Sequence, residues 1–313
     1  MINLSYNLSP NLKDSLQKIE NLRAKILLTP LSPETELRLR WNTTVKRIYW
    51  SLVLHQNPLS KSDIIKLLSN TYQTKKRFND EEKEVLEYKK GLDYINREWL
   101  VSSRNITSKV IINLHNISSQ GTFKATEASL KQIFEYLQES SEHPVIQAAI
   151  AHIALLDLNG FSQGNGRISR LTTYLFLYKF GYDFKGLLCL DEYFKRDLVG
   201  YRENVEAVLR NNNLTLWLEY FAGAVVAQLE KALTEVLSEK YSLDLQKNFF
   251  ELNDRQKEIM SLLDQPSVVI SNKKVQKMFK VSQITASRDL SRLSTLGLLF
   301  THGKGRSVYY TKI

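Results

Sequence analysis

The residues of this 313-residue chain that are best suited to chemistry form a glycine-containing loop near its centre, Leu158–Arg170. Apolar residues recur after it at three- and four-residue spacing, which predicts a helix over Asn165–Phe180. Glycines at a helix start, as in Gly164–Arg167, favour anion binding because the backbone can approach closely and the first-turn N–H groups are free. Arg167 and Arg170 can share one face of that turn, and two guanidinium groups suit a polyphosphate.

No Lys-Ser/Thr pair follows at the spacing of a P-loop, so the loop belongs to another class of phosphate site. Its sequence resembles the core motif of the Fic (filamentation-induced-by-cAMP) family, His-Pro-Phe-x-Asp/Glu-Gly-Asn-Gly-Arg-x-x-Arg. The resemblance covers roughly Leu92–Ala227 and implies transfer of a nucleoside monophosphate, usually AMP from ATP, to a protein hydroxyl. It assigns binding of ATP or another nucleotide to Phe161, Gly164, Asn165, Gly166, Arg167 and Arg170.

Two positions depart from the motif where its chemistry is done. Asn159 stands at the position of the His that serves as general base, and an amide does not accept a proton at ordinary pH. General base catalysis is typically worth about 10²–10⁴-fold in rate. Gln163 stands at the acidic position and offers one neutral oxygen, whereas Mg²⁺ favours charged oxygen ligands. The sequence therefore favours a nucleotide-binding pseudo-enzyme and disfavours Mg²⁺ binding.

Three further segments bear on this interpretation. His152, two helical turns before Asn159, is expected to be a packed structural residue rather than a substitute base. Relatives carry an inhibitory Ser/Thr-x-x-x-Glu-Gly/Asn helix, for which the best local match is Thr43–Ile48, with Arg47 at the Glu position and unable to clamp Arg170. The resemblance places a short β-hairpin flap in Val110–Lys124, which begins with a β-prone run.

The predicted fold class is mainly α, a Fic-like helical core with that flap, plus a small C-terminal winged-helix α+β domain. With 43% apolar residues and only 12 Gly and 6 Pro, the chain is neither mainly disordered nor a loop-rich β-sandwich. We predict three regions, a helical region 1–91, a Fic-like domain 92–240 and a winged helix-turn-helix domain 241–313. Helices are predicted over Asn11–Leu28, Ser60–Thr71, Thr126–Glu139, Pro144–Leu156, Leu190–Leu209 and Thr215–Glu239.

The last 62 residues are predicted to form a winged helix-turn-helix. Helices are predicted over Asp254–Leu263, Asn272–Phe279 and Ser282–Leu296, followed by strands over Leu298–Thr301 and Ser307–Thr311. Residues 252–313 hold eleven basic and four acidic side chains, which is +7 of the chain's net +10.

In the third of these helices, Ala286, Leu290 and Leu293 form one apolar face, expected to pack on Ile259, Leu262 and Leu263. The other faces stay free, and arginine can grip guanine or a phosphate in the major groove. The residues predicted to contact DNA are Gln283, Ser287, Arg288, Ser291, Arg292 and, in the wing, Lys304 and Arg306.

Partners and location follow from simpler features. Cys189 is the only cysteine, so an intrachain disulfide and a Cys-based zinc site are excluded. No signal peptide and no apolar run of roughly 18 residues is found, so we expect a cytoplasmic protein without a membrane partner. A homodimer is expected to suit paired DNA half-sites, and the protein partner is left open.

Three hypotheses remain from the sequence. The first is a nucleotide-binding, catalytically impaired transcription regulator. The second is an active protein adenylyltransferase with a base-independent or variant mechanism. The third is a non-catalytic interaction scaffold that binds neither ATP nor DNA.

Overall fold

A computed structural model describes residues 5–31, 33–69, 77–139, 141–211, 213–237, 252–263, 268–296, 298–303 and 308–312. The chain divides into two compact units. The first comprises residues 1–31, 43–61 and 78–238, and the second comprises residues 32–42, 62–77 and 239–313. The domain boundaries near residues 91 and 240 stay predictions.

The described residues are mainly helical, which confirms the predicted fold class. The helices are α1 (Pro10–Leu28), α2 (Pro33–Val53), α3 (Lys61–Ser69), α4 (Asp80–Glu98), α5 (Ser108–Ser118), α6 (Glu127–Glu139), α7 (Pro144–Leu158), α8 (Asn165–Lys179), α9 (Leu190–Arg196), α10 (Leu198–Asn211), α11 (Thr215–Leu237), α12 (Asp254–Leu262), α13 (Asn272–Phe279) and α14 (Gln283–Thr295). No helix within the described ranges is both long and apolar enough to cross a membrane.

Helices α7 and α8 form the centre of the first unit. Every residue from Val145 to Leu155 is buried, and so is every residue from Arg167 to Tyr178. A helix that is apolar on all sides, as α7 is, must be covered on all sides by neighbours. The loop between these two helices is therefore held at both ends by the most buried part of the fold.

The predicted β-hairpin flap is wrong in its first half. The β-prone run that starts at Val110 lies inside α5, because Ile111, Leu114, His115 and Ser118 share one buried helical face. That spacing overrides the intrinsic strand preference of Val and Ile. In the rest of the flap segment, the β pairing of the described residues is a single bridge between Phe123 and Phe161.

One predicted helix, Leu190–Leu209, is broken into α9 and α10 at Asp197. The backbone of Asp197 is non-helical, and its carboxylate accepts a hydrogen bond from the Gly200 N–H at 3.2 Å. A side chain that caps the first turn of a new helix in this way competes with continuation of the old one.

The second unit contains α12, α13, α14 and a three-stranded antiparallel sheet. Its strands β1 (Ile270–Ser271), β2 (Leu299–His302) and β3 (Tyr309–Lys312) lie in the order β1-β3-β2. Strand β1 was not predicted, because two residues carry no periodic signal. The predicted apolar face of α14 is confirmed: its Ala286, Leu290 and Leu293 are fully buried in one cluster with Ile259 and Leu263. Leu262, also expected there, is partly buried and does not belong to this cluster.

Candidate functional site

The loop between α7 and α8 is closed by the side chain of Asn165. Its amide nitrogen donates to the Phe161 carbonyl at 2.7 Å, and its amide oxygen accepts from the Phe161 N–H at 2.9 Å. These two bonds join residues four positions apart and fix the turn through Gln163 and Gly164. Asn165 therefore shapes the loop through its side chain and offers only its backbone to a ligand.

Phe161 is a support under the loop. It is buried, and its ring stacks on His115 with centroids 4.0 Å apart and an angle of 16°. His115 Nε2 also lies 2.9 Å from the Gln163 carbonyl oxygen, so α5 holds both ends of this short segment. His115 belongs to no motif, and its only signal in the sequence is its place on the buried face of α5.

Gly164 is required by its backbone conformation and by close approach, and Gly166 leaves little room for a side chain. Gly164 has φ 77°, and a Cβ there would lie 2.3 Å from Ser119 Oγ. A Cβ on Gly166 would lie 3.0 Å from Arg170 Nη1 and 3.1 Å from His55 Nε2. The first turn of α8 is therefore lined by backbone on one side and by nitrogen-bearing side chains on the other, which is an arrangement that suits an anion.

The two arginines of the motif already hold carboxylates. Arg167 donates from Nη2 to Glu84 Oε1 at 2.6 Å, across from α4. Arg170 Nε lies 3.0 Å from Asp191 Oδ1 on α9 and donates to Ser51 Oγ at 2.8 Å. Both arginines are more than nine-tenths buried. A polyphosphate at this turn would therefore meet two guanidinium groups whose charges are largely compensated.

Asp191 is fully enclosed. It is 1% exposed, and Tyr174 donates its hydroxyl to Oδ2 at 2.7 Å. Burial raises the pKa of this carboxyl, while the positive charge of Arg170 acts in the opposite direction. The pair of Asp191 and Arg170 is thus part of the packed core as well as part of the motif.

Helix α2 reaches the site through residues that the sequence analysis did not choose. Arg47 does not face Arg170: it is buried over the Tyr174 ring and donates to the Leu188 carbonyl at 2.7 Å. Ser51, one turn later, is the residue that contacts Arg170, and His55, one turn further, lies beside Gly166. The match at Thr43–Ile48 therefore does not identify the residues of this region that lie at the site. Ser51 and His55, which are also four positions apart, are the residues that lie there.

His55 brings an uncharged imidazole to the first turn of α8. Burial against this turn, together with the positive charges of Arg170 and Arg167, lowers the pKa of His55 to about 3. The ring is therefore neutral at neutral pH. It can donate or accept one hydrogen bond without adding charge.

The two degenerate positions lie at the open side of the loop. Asn159 is exposed, ends α7 in the left-handed conformation (φ 43°, ψ 42°), and donates its backbone N–H to the Leu155 carbonyl at 3.2 Å. Gln163 is exposed as well. Within the described ranges, no group of three or more His, Cys, Asp or Glu residues is arranged to hold a metal ion.

His152 is a structural residue, as predicted. It is fully buried, with Nδ1 2.9 Å from Thr173 Oγ1 and Nε2 2.9 Å from the Tyr201 hydroxyl. Rings of Phe194, Trp217 and Phe221 surround it. Because both ring nitrogens are engaged away from the loop, His152 is not placed to accept a proton there.

The residues singled out in the second unit fall on different faces of α14. Gln283, Ser287 and Arg288 are exposed, whereas Ser291 and Arg292 are partly buried. Ser291 hydrogen bonds with the Tyr310 hydroxyl of β3. The remaining predicted contacts, Lys304 and Arg306, lie outside the described residues.

Comparisons with known proteins bear on the first unit above all. The sequence model of the Fic/DOC family matches residues 105–177. Curated proteins named "Protein adenylyltransferase Fic" from Drosophila grimshawi and Aedes aegypti are 30% and 27% identical over 162 and 163 residues. Each match covers 44% of this chain and 33% of the relative, so the chain spans about a third of the length of these relatives.

Solved structures show the same fold. A Fic family protein from Desulfovibrio desulfuricans aligns over 98% of this chain and 97% of its own, with a TM-score of 0.62 at 15% identity. A Fic domain containing signaling protein from Bacteroides thetaiotaomicron aligns over 72% of this chain and 97% of its own, with a TM-score of 0.57 at 20% identity.

The buried helices α7 and α8, with the Gly-Asn-Gly loop between them, define a helical domain that is built around one glycine-containing turn. The family match falls on α5 to α8, the helices that form and support this turn. Residues 105–177 therefore match the Fic/DOC family, and the chain is similar to Fic proteins in sequence over part of its length and in fold.

Proposed function

We propose that this chain is a nucleotide-binding Fic protein with impaired AMP transfer, and that it acts as a regulator that binds DNA through its second unit. The observation that carries the impaired chemistry is Asn159 at the end of α7, where the motif has its general base. An amide there leaves the attacking hydroxyl without a proton acceptor.

Nucleotide binding is supported by the preserved first turn of α8. The Asn165 side chain keeps the turn closed, and the N–H groups of the first turn are available to phosphate oxygens. Arg167 and Arg170 lie within the same turn and the next. We expect ATP to bind with its phosphates at Gly164–Arg167, in competition with Glu84 for Arg167.

Nucleotide binding is tested by thermal unfolding of the full chain with ATP, ADP and AMP. A ligand that binds only the folded state raises the unfolding temperature by an amount that grows with the logarithm of its concentration relative to Kd. Arg167→Ala should abolish the shift. Arg210→Ala, an exposed arginine paired with Glu206 on α10, is the matched control and should leave it unchanged. No shift with any nucleotide in the wild type would support the scaffold hypothesis instead.

Impaired transfer is tested with ATP labelled on the α-phosphate. The wild-type chain should label itself or added protein weakly, and the double variant Asn159→His, Gln163→Asp should label by about 10²–10⁴-fold more if a base is the missing element. Equal labelling by both proteins would show that the native site is active.

An active adenylyltransferase is the second candidate function, and it is favoured by the similarity to curated proteins named protein adenylyltransferase Fic. In that case His55, whose imidazole lies beside Gly166 in the first turn of α8, would be a candidate proton acceptor. Its low pKa makes it a weak base. Loss of labelling in His55→Ala, with the wild type active, would favour this candidate.

DNA binding is supported by the architecture and charge of the second unit. Three helices followed by a two-stranded wing on a three-stranded sheet form the winged helix-turn-helix pattern. Residues 272–295 hold six basic residues and one acid, Asp289, which is buried. Arg288 is exposed on α14, the helix expected to enter the major groove.

This part is tested by retention of the full chain on DNA at increasing salt, because neutralised phosphates make binding fall with salt concentration. Arg288→Ala should weaken binding. Lys257→Ala, which removes an exposed charge from α12, is the control with little effect. Regulation requires that ATP change this affinity, so the same titration is repeated with ATP present.

A further inference from the structure

We propose that Ile284 is a specificity-determining residue that contacts the 5-methyl group of a thymine, so that the DNA site of this protein contains a required thymine. The inference rests on the DNA binding proposed above and adds which base the exposed face of α14 selects. It follows from an apolar side chain that the fold leaves uncovered in the first turn of that helix.

Ile284 is an exception to the way in which this unit buries apolar side chains. It is 65% exposed, whereas Ala286, Leu290 and Leu293 on the same helix are completely buried. At 100° per residue, Ile284 lies on the side of α14 opposite to that buried face. Ser287 and Arg288 lie on the same side of the helix as Ile284. The side chain therefore gains nothing from folding and is available to a partner.

The position of Ile284 is fixed by the neighbouring helix. Asn272, at the start of α13, donates to the Gln283 carbonyl at 3.1 Å and to Ser287 Oγ at 2.7 Å. These bonds bracket Ile284 on both sides and hold the first turn of α14 against α13. An apolar side chain on such a held turn can make a contact that depends on a single methyl group.

The charge of the surrounding surface points to nucleic acid as the occupant. Four lysines on and just after α13 are exposed, and Arg288 is exposed one turn from Ile284. The single acid of α14, Asp289, is 3% exposed and is held by Arg255 and Gln256 from α12. These lysines are Lys273, Lys274, Lys277 and Lys280.

Ile284 then has one distinctive partner among base edges. In the major groove, thymine alone of the four bases presents an apolar methyl group, and N-terminal residues of a recognition helix reach base edges. Arg288, one turn further, is placed for a guanine or a phosphate. Burial of one methyl-sized group is worth ~0.8 kcal/mol, which corresponds to about fourfold in affinity.

The test selects DNA sites from a random library with the full chain and then replaces each thymine of the selected site with deoxyuridine, which lacks only the methyl group. One or more positions per half-site should lose about fourfold in affinity. The Ile284→Ala variant should bind the thymine site and the deoxyuridine site with the same affinity. Val269→Ala, a change at another exposed apolar residue, should keep the wild-type discrimination.

The outcomes separate the inference from the function on which it rests. If the chain retains no DNA at low salt, both the DNA-binding function and this inference fail. If it binds DNA with a salt dependence and the wild type does not distinguish thymine from deoxyuridine at any position, only the role of Ile284 is overturned. Unfolding temperatures of the variants should match the wild type, because Ile284 packs against nothing in the core.

Discussion

Arg170 and Asp191 form an ion pair inside the first unit, with side chains only 5% and 1% exposed and Nε 3.0 Å from Oδ1. Arg170 is the final arginine of the Fic motif, in α8, and Asp191 lies in the first turn of α9. A charge pair with this degree of burial is costly to break from one side, because the remaining charge is left unpaired. Removal of the motif arginine alone is therefore expected to destabilise the folded chain.

Asp191→Asn should destabilise the chain by about 3–5 kcal/mol, because Arg170 loses its counter-ion in a buried position. Urea unfolding followed by circular dichroism gives the change. Tyr174→Phe, which removes only the hydroxyl bonded to Asp191, should cost about 1–3 kcal/mol. Equal costs for the two variants would contradict the role assigned to the charge.

Glu84→Gln should strengthen nucleotide binding. Glu84 neutralises Arg167 at 2.6 Å, and its side chain is 32% exposed, so removal of its charge frees the guanidinium at a modest cost in stability. We expect a several-fold lower Kd for ATP by calorimetry. Asp80→Asn removes the same charge from an exposed position of α4 and should leave the Kd unchanged.

His55→Glu should weaken nucleotide binding. A carboxylate beside Gly166 would face Arg170 and Arg167, and it would repel phosphate while competing for both guanidinium groups. His55→Gln preserves a neutral polar side chain and is the matched control. A Kd for ATP that is the same in the Glu and Gln variants would show that phosphates bind elsewhere.

Stability should fall as the pH is lowered below about 6.5. Burial and the charge of Arg170 lower the pKa of His152 to about 3, whereas an unfolded His titrates near 6.5. The unfolded state therefore binds the proton first, and stability present above pH 6.5 is lost progressively down to pH 3. At pH 5 this amounts to roughly 2 kcal/mol from His152.

The free energy of unfolding, measured by urea at several pH values, gives that slope. His152→Gln should be less stable at neutral pH and should show a shallower loss between pH 6.5 and pH 5. His55 and His143 also have lowered pKa values, owing mainly to burial, so His55→Gln and His143→Gln are measured beside it. An unchanged slope in the His152 variant would contradict the assignment.

The local parts of this fold were predictable because they depend on neighbours in sequence. The boundaries of α8 and α13 follow from apolar spacing, and the need for Gly164 follows from a tight turn before a helix. The strand propensity of the run that starts at Val110 led to a wrong prediction, because burial of one helical face of α5 outweighed that propensity. Short elements such as β1, which has two residues, contain no repeated spacing of apolar residues from which they could be predicted.

The partners of the motif were not predictable for a different reason. Glu84, Asp191 and Ser51 reach Arg167 and Arg170 from α4, α9 and α2, at separations of 83, 21 and 119 positions. Ion pairs between distant helices leave no spacing pattern in a single sequence. His55 was visible only as an isolated histidine, and its position became meaningful once Gly166 lay beside it.

The ring of hydrogen bonds between Asn165 and Phe161 has a consequence for how degenerate members of this family are recognised. Asn165 shapes the turn and Arg170 neutralises a core carboxylate, so mutation at either position is opposed by misfolding even where no product is made. A protein without catalytic activity would therefore be expected to retain Asn165 and Arg170 and to tolerate substitution at Asn159 and Gln163. Retention of Asn165 and Arg170 therefore reflects their structural contacts, whereas the exposed side chains of Asn159 and Gln163 are under no comparable packing constraint.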